Sequence, residues 1–308
     1  MRTGRWCCGN SYFYIMQIIP LSEGAFTIDR TKRFVPFDTG KDDLQGRPVG
    51  SLLVEIQPFV IVTTEDILVI DTGLGYRING ELQLYNNLRK AGIAPEKVTK
   101  VLMSHLHKDH AGGITKRSEG YERGGAWQSS PDEAVGDCGG GPGERVMAGG
   151  AGERVEVRGA GERVGVPGAG ELSFPNAQYY VQRKELEYAF EKGPTSYIPE
   201  ELLCLKDSPR VTLLDGDGVI DGYIRYVVTG AHCPWHQVFW IVDGGETAFF
   251  GGDVAPQLQQ MKSRFVAKYD YDGKRAMELR QEWWERGGKE GWTFLFYHDL
   301  NTPTLKRD

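Results

Sequence analysis

The chain contains six histidines, and all of them fall in three short segments that follow apolar, strand-like sequence. Three lie in residues 104–110 (SHLHKDH), two lie in residues 230–236 (GAHCPWH), and the last lies in residues 297–299 (YHD). A single histidine is usually an ordinary core or surface residue. An H-x-H-x-D-H run directly after an apolar strand is instead typical of a metal site.

The spacing within the first segment allows side chains to converge on metal ions. In an extended backbone, residues i and i+2 point the same way, so the imidazoles of His105 and His107 can share one ion. Asp109 and His110 follow where residues 111–113 (AGG) predict a turn, and they can face a second ion beside the first. Imidazole and carboxylate groups suit zinc and similar metals.

The composition excludes several classes of function. The 308 residues suffice for one large domain or two small ones, and a net charge of −6 argues against non-specific binding to nucleic acid or to anionic membranes. No apolar run reaches the ~20 residues that a membrane span needs. The five cysteines include no C-x-x-C pair, so we expect no disulfide framework and a cytoplasmic protein. The sequence leaves open whether the chain forms a homodimer.

Two segments are predicted to lie outside the folded core. Residues 1–15 carry Arg2 and Arg5 but lack a signal-peptide cleavage site, so we expect a disordered extension before a single domain over residues 16–308. From Gly143 a nine-residue unit repeats as GERVMAGGA, GERVEVRGA and GERVGVPGA. These repeats lack the aspartates of a calcium-binding β-roll, so we predict a flexible, low-complexity, Gly-rich insert over about residues 118–171.

Outside this insert, strand-like segments outnumber helical ones. Apolar and β-branched runs predict strands over residues 51–62, 67–70, 98–103, 177–181, 224–228, 238–242, 247–250 and 293–296. Apolar residues at helical spacing predict helices over residues 81–91, 183–191 and 273–286. Because strands often follow one another directly, we expect an α+β fold with packed sheets and outer helices, rather than a doubly wound parallel sheet.

Five ordered motifs between residues 68 and 299 resemble those of the metallo-β-lactamase superfamily of hydrolases. They are residues 68–73 (LVIDTG), 104–110 (SHLHKDH), 229–236 (TGAHCPWH), 249–253 (FFGGD) and 294–299 (FLFYHD). The resemblance implies a four-layer αβ/βα sandwich with the site at one edge of two packed sheets. It also implies an enzyme that holds two divalent metal ions and acts on a small-molecule substrate.

The resemblance assigns a role to each candidate residue. It places three residues on one metal ion, namely His105, His107 and His232. It places three on the second ion, namely Asp109, His110 and His298, with Asp253 bridging both. Asp71 would fix a ligand or its loop, and His236 would make a structural hydrogen bond nearby, because the first histidine of the H-x-x-x-H pair is the family's ligand. Zinc is favoured, with iron, manganese and cobalt as alternatives.

The resemblance also suggests a reaction. Two cations lower the pKa of a shared water from ~16 towards ~7, and Asp109 would orient the resulting hydroxide and move a proton. Residues 172–177 (LSFPNA) and 296–299 (FYHD) resemble acyl-homoserine-lactone lactonases and methyl parathion hydrolase-like enzymes, which implies cleavage of a lactone or a related ester. Residues 254–256 (VAP) lack the tyrosine of many such lactonases. A glyoxalase II-like thioesterase, an organophosphate hydrolase and an iron-containing redox protein therefore stay open.

Overall fold

The computed structural model describes residues 16–116 and 170–307. In the first segment the strands are β1 (Gln17–Pro20), β2 (Gly24–Ile28), β3 (Phe34–Pro36), β4 (Leu52–Ile56), β5 (Phe59–Val62), β6 (Ile67–Ile70), β7 (Arg77–Ile78), β8 (Glu81–Leu82), β9 (Lys100–Leu102) and β10 (Thr115–Lys116). The helices there are α1 (Gln83–Lys90) and α2 (Lys108–Ala111), with a 3-10 turn at Pro95–Lys97.

The second segment continues the same alternation. Its strands are β11 (Glu171–Leu172), β12 (Gln178–Gln182), β13 (Val211–Leu214), β14 (Gly218–Ile220), β15 (Ile224–Val228), β16 (Gln237–Asp243), β17 (Glu246–Phe250), β18 (Thr293–Leu295) and β19 (Thr304–Lys306). Its helices are α3 (Arg183–Lys192), α4 (Pro199–Leu202), α5 (Leu258–Lys262) and α6 (Gly273–Glu290), with 3-10 turns at Leu203–Leu205 and Gly252–Val254. No helix of the described residues is long and apolar enough to cross a membrane.

Two six-stranded sheets form the centre of the fold. One has the order β1-β5-β6-β9-β12-β13, and the other has the order β14-β15-β16-β17-β18-β19. In the first sheet β6, β9, β12 and β13 run parallel to one another, whereas β1, β5 and β6 pair in antiparallel fashion. In the second sheet β17 and β18 pair in parallel, whereas the other neighbours are antiparallel. Residues that directly follow two neighbouring parallel strands lie at the same edge of the sheet. The candidate site lies at this edge.

Alternating side chains create three apolar layers from these two sheets. Phe59 and Ile70 of the first sheet and Phe239 and Phe250 of the second lie in one buried cluster between the sheets. The opposite face of the first sheet packs against α1 and α3, and the opposite face of the second packs against α6. The order helix, sheet, sheet, helix confirms the predicted four-layer αβ/βα sandwich of the α+β class.

Two predicted boundaries need correction. The strand predicted over residues 51–62 is divided into β4 and β5 at Gln57 and Pro58, because proline has no N–H to donate to a strand ladder. The insert predicted over residues 118–171 extends too far, since Glu171 pairs with Lys116 in a β10–β11 ladder. Residues 118–169 of the predicted insert and the predicted extension over residues 1–15 lie outside the described residues.

Candidate metal centre

The candidate site lies at the edge of the sandwich where parallel strands of both sheets end. Because β6 and β9 pair in parallel, Asp71 and Ser104, which follow them, reach the same edge. Because β17 and β18 pair in parallel, Asp253 and His298 reach the corresponding edge of the second sheet. Residues from distant parts of the sequence therefore meet across the two sheets.

Three imidazoles form what we term the first pocket: His105, His107 and His232. Nε2 of His105 lies 3.0 Å from Nδ1 of His107, which lies 3.1 Å from Nε2 of His232. The single lone pair of that Nδ1 cannot accept a good hydrogen bond from both neighbours. A tetrahedral zinc ion with bonds of about 2.0–2.1 Å holds its ligand atoms about 3.3 Å apart. The spacing of the three nitrogens therefore fits one ion.

The second pocket adjoins the first and contains a carboxylate: Asp109, His110 and His298. Oδ2 of Asp109 lies 3.6 Å from Nε2 of His298 and 3.9 Å from Nε2 of His110. Asp109 and His110 belong to the short helix α2, where the sequence predicted a turn. Nδ1 of His298 donates to the backbone carbonyl of Glu55 at 2.7 Å, which leaves its Nε2 free to face the pocket.

Asp253 lies between the two pockets and presents one oxygen to each. Its Oδ2 lies 3.3 Å from Nε2 of His232 in the first pocket. Its Oδ1 lies 3.0 Å from Nε2 of His110 and 3.1 Å from Nε2 of His298 in the second. Burial raises the pKa of Asp253, but the surrounding imidazoles, led by His110, outweigh it and hold that pKa well below its usual range. The carboxylate is therefore ionised, with one oxygen directed towards each pocket.

Buried polar atoms without hydrogen bonds support the fit of metal ions. Nε2 of His110 and Oδ1 of Asp253 are buried and lie 3.0 Å apart, but their geometry is not that of a hydrogen bond, and neither atom has another hydrogen-bond partner among the described residues. Such atoms normally find a partner in a folded protein. Burial, with the neighbouring imidazoles, also holds the pKa of His105 and of His107 well below the usual value, so both rings are neutral at pH 7. Neutral imidazoles and an ionised carboxylate are the donor set that zinc binds.

Asp71 supports the loop that carries these ligands. Its side chain is fully buried, and Oδ1 accepts the backbone N–H of Ser104 at 2.7 Å. Its Oδ2 accepts from the Ser104 hydroxyl and from Nδ1 of His110, both at 2.7 Å. Asp71, His105 and His110 also lie close enough together to form a metal-binding group. Both oxygens of Asp71, however, already accept hydrogen bonds. It therefore orients His110 rather than facing an ion.

His236 differs from His232 in that neither of its ring nitrogens faces another candidate ligand atom; a backbone N–H and a hydroxyl lie against them instead. Nε2 accepts the backbone N–H of Asp253 at 3.2 Å, and Nδ1 lies 3.3 Å from the Thr229 hydroxyl. Gly252 adopts a φ of +48°, and a Cβ there would lie 2.5 Å from Nε2 of His236. Glycine at this position thus allows His236 to hold the backbone of Asp253 in place.

Two supporting residues were not found from the sequence. Oδ1 of Asp270 lies 3.0 Å from Nδ1 of His232, which fixes the orientation of that ring. The ring of Tyr297 stacks on His110 at a centroid distance of 4.0 Å, and its hydroxyl donates to the backbone carbonyl of Asp109 at 2.6 Å. Asp270 lies in a short aspartate-rich stretch (YDYD) in which sequence gives no sign of burial. Tyr297 could have been noticed, because it adjoins His298 after a strand.

The structure brings all nine predicted site residues together. The seven predicted ligands form two overlapping groups of four around Asp253, with ligand atoms within 4.8 Å of one another in each group. Asp71 and His236 lie directly behind them. Assignment of these residues to metal ions remains a proposal.

Comparisons with known proteins agree with this geometry. Residues 55–116 match the model of the metallo-beta-lactamase superfamily, and this segment contains Asp71 and the H-x-H-x-D-H run. No curated protein sequence matches the chain significantly. A probable metal-dependent hydrolase from Staphylococcus aureus has a similar structure, with a TM-score of 0.64, 18% identity, and coverage of 94% of this chain and 92% of that one.

Two further solved structures are similar at comparable coverage. The dizinc quorum-quenching lactonase AidC, in complex with a product, gives a TM-score of 0.60 and 14% identity, and covers 94% of this chain and 89% of that one. The hydrolase AbOPH of the beta lactamase superfamily gives a TM-score of 0.61 and 20% identity, with the same two coverages. These likenesses agree with the expected fold. The chain therefore has the metallo-β-lactamase fold, and its residues 55–116 match that superfamily in sequence.

Proposed function

We propose that the chain is a di-metal hydrolase that opens a lactone or cleaves a related ester. The observation that carries the proposal is Asp253, whose two carboxylate oxygens face two different pockets. A single-ion site would need only one of these pockets. Two zinc ions would be held by the first pocket, by the second pocket and by Asp253 between them, with iron, manganese and cobalt as alternative metals.

The chemistry follows from the charges at the site. When bound, divalent cations supply water of lowered pKa at neutral pH and polarise a carbonyl oxygen. Asp109 faces the same space, and its side chain is 12% exposed, so it is buried enough to be held and open enough to reach substrate. We assign it the task of accepting and returning a proton. Asp71 and His236 keep His110 and Asp253 oriented throughout.

The proposed substrate class rests on similarity to lactonases. AidC is described as a lactonase with its product bound, and an N-acyl homoserine lactone hydrolase with product at its catalytic metal centre is also similar, at a TM-score of 0.55 and 17% identity. The lactone carbonyl is an electrophile, and water of lowered pKa would attack it, so no serine or cysteine nucleophile would be needed. Thioester and organophosphate substrates would use the same site, and so the experiment must separate them.

A substrate panel with metal analysis tests the proposal. The panel is a long-chain acyl-homoserine lactone, an aryl ester, methyl parathion and S-lactoylglutathione, assayed with wild type, Asp109→Ala and Asp215→Ala. Asp215 is a matched control, because its carboxylate pairs with Arg183 on the surface and is 63% exposed. We expect two metals per chain and lactone opening that falls at least ~100-fold in Asp109→Ala alone. Activity only on another substrate would contradict the substrate class, and a protein that binds no metal would contradict the whole proposal.

A further inference from the structure

A buried glutamate behind the first pocket has no part in the proposed reaction. Glu185 lies in the first turn of α3, and only 1% of its surface is exposed. A buried carboxylate is costly unless hydrogen bonds compensate it. The hydrogen-bond partners of Glu185 therefore indicate the structural role of this side chain.

Three donors reach the carboxylate from three different segments. Oε1 accepts the backbone N–H of Leu106 at 3.1 Å and the hydroxyl of Tyr197 at 3.2 Å. Oε2 accepts the thiol of Cys233 at a sulfur–oxygen distance of 3.4 Å. All three neighbours donate and the Glu185 oxygens accept, so these hydrogen bonds hold the side chain in one orientation.

Each of these contacts leads to a histidine of the first pocket. Leu106 lies between His105 and His107 in the sequence, so its hydrogen bond fixes the backbone that carries both rings. Cys233 directly follows His232. The ring of Tyr197 lies 4.8 Å from the ring of His107. The hydrogen bonds of Glu185 thus join the two loops that supply the first pocket, which are 125 residues apart at His107 and His232.

The second pocket is supported by other groups. Asp71 holds His110, Tyr297 packs on the same ring, and the carbonyl of Glu55 holds His298. Because these supports come from β4 and from the residues that follow β6 and β18, rather than from α3, loss of Glu185 should affect the two pockets unequally.

We propose that Glu185 is a positioning residue that sets the mutual geometry of the three imidazoles of the first pocket. The inference rests on the proposed function, because it presumes that these imidazoles bind a metal ion. Loss of a residue that orients metal ligands typically weakens metal binding about 10–100-fold. The weakening should fall on one of two ions.

The test measures zinc affinity in Glu185→Gln and Glu185→Leu by competition with a chromophoric chelator. The leucine variant loses every acceptor, and we expect one of the two zinc ions to bind about 10–100-fold more weakly. The glutamine variant retains one acceptor oxygen for Leu106 and Tyr197, so its loss should be smaller. Hydrogen exchange of the Leu106 amide in the metal-free protein gives a second readout, and we expect faster exchange in Glu185→Leu than in wild type.

A pair of tyrosines separates positioning from general stability. Tyr197 and Tyr179 are both buried in the same apolar cluster. The Tyr179 hydroxyl accepts the backbone N–H of Phe174, in the loop that follows β11, and makes no contact with Glu185 among the described hydrogen bonds. We expect both Tyr197→Phe and Tyr179→Phe to lower the melting temperature, and only Tyr197→Phe to weaken one zinc ion.

The possible outcomes distinguish this inference from the proposed function. A wild-type protein without zinc would overturn both. Two zinc ions of unchanged affinity in both Glu185 variants, with unchanged exchange at Leu106, would overturn the inference and leave the proposed function standing. Equal weakening of both ions would also overturn it, because Glu185 would then act on the fold as a whole.

Discussion

The two pockets share Asp253 and lie side by side, yet their electrostatics are opposite. In the first, burial and neighbouring imidazoles hold the pKa of His105 and of His107 well below the usual value. In the second, burial lowers the pKa of His110 and of His298, but the carboxylates of Asp253 and Asp109 outweigh it and raise both. His105 and His107 are thus neutral before a cation binds, whereas His110 and His298 must release protons.

The two pockets thus contain similar side chains but arrange them for a metal ion in different ways. In the first pocket, neighbouring carboxylates position the imidazoles. Asp270 contacts the His232 ring, and Glu185 accepts a hydrogen bond from the backbone of the loop that carries His105 and His107. The second places a carboxylate, Asp109, among its ligands. We expect the ions to differ in affinity, in pH dependence and in sensitivity to substitution.

The largest expected effect comes from the residue that the pockets share. Asp253→Ala removes a ligand from each ion, so we expect both ions to be lost. Because bound metal contributes several kcal/mol to catalysis and each 1.36 kcal/mol is tenfold in rate, kcat/KM should fall at least ~10³-fold. Elemental analysis and a lactone assay check this. Retention of either ion at wild-type affinity would mean that Asp253 does not bridge.

Single-pocket substitutions should separate the ions. His107→Ala removes a ligand from the first pocket only, and His298→Ala removes one from the second only. We expect each variant to retain about one ion per chain and to lose at least ~100-fold in kcat/KM, since each ion supplies part of the contribution of several kcal/mol. Titration with zinc under chelator competition checks the stoichiometry. Loss of both ions in each variant would show that the pockets are not independent.

The sequence located the candidate ligands more completely than it located the short strands and supporting residues around them. The H-x-H-x-D-H run and the ordered motifs identified all seven ligand candidates, because each follows an apolar strand and carries a chemically distinctive side chain. Short strands such as β3 and β14 were missed, since three residues give too little periodicity to detect. Asp270 and Glu185 were missed because burial, which gives them their role, arises only from tertiary packing.

A smaller effect is expected at Asp270, which supports the first pocket without facing an ion. Asp270→Asn weakens the hold on His232, so we expect about 10–100-fold weaker binding of one zinc ion. Asp272→Asn is the control two residues away. Asp272 caps α6 by accepting the backbone N–H of Arg275 at 2.9 Å, and asparagine caps about as well as aspartate. Zinc titration of both variants measures the two affinities. Equal zinc affinities in Asp270→Asn and Asp272→Asn would argue against a role for Asp270.

The smallest expected effect is a difference between the pH values at which the two pockets lose their zinc ions. A raised pKa keeps His110 and His298 protonated up to a pH above the ordinary value of 6.5. As pH falls, protons therefore compete with metal at His110 and His298 before they do so at the first pocket. For each proton that the metal must displace, binding weakens about tenfold per pH unit. His105 and His107, whose pKa is lowered, stay neutral below 6.5. Zinc content measured between pH 8 and 5 should fall in two steps, with the second pocket emptying first. A single step would contradict the contrast.

The most direct test of the central claim is anomalous diffraction from crystals of the wild-type protein grown with zinc. The account predicts two peaks per chain on either side of the Asp253 carboxylate. One peak should lie among His105, His107 and His232, and the other among Asp109, His110 and His298. The absence of both peaks, or a single peak elsewhere, would contradict a two-ion centre.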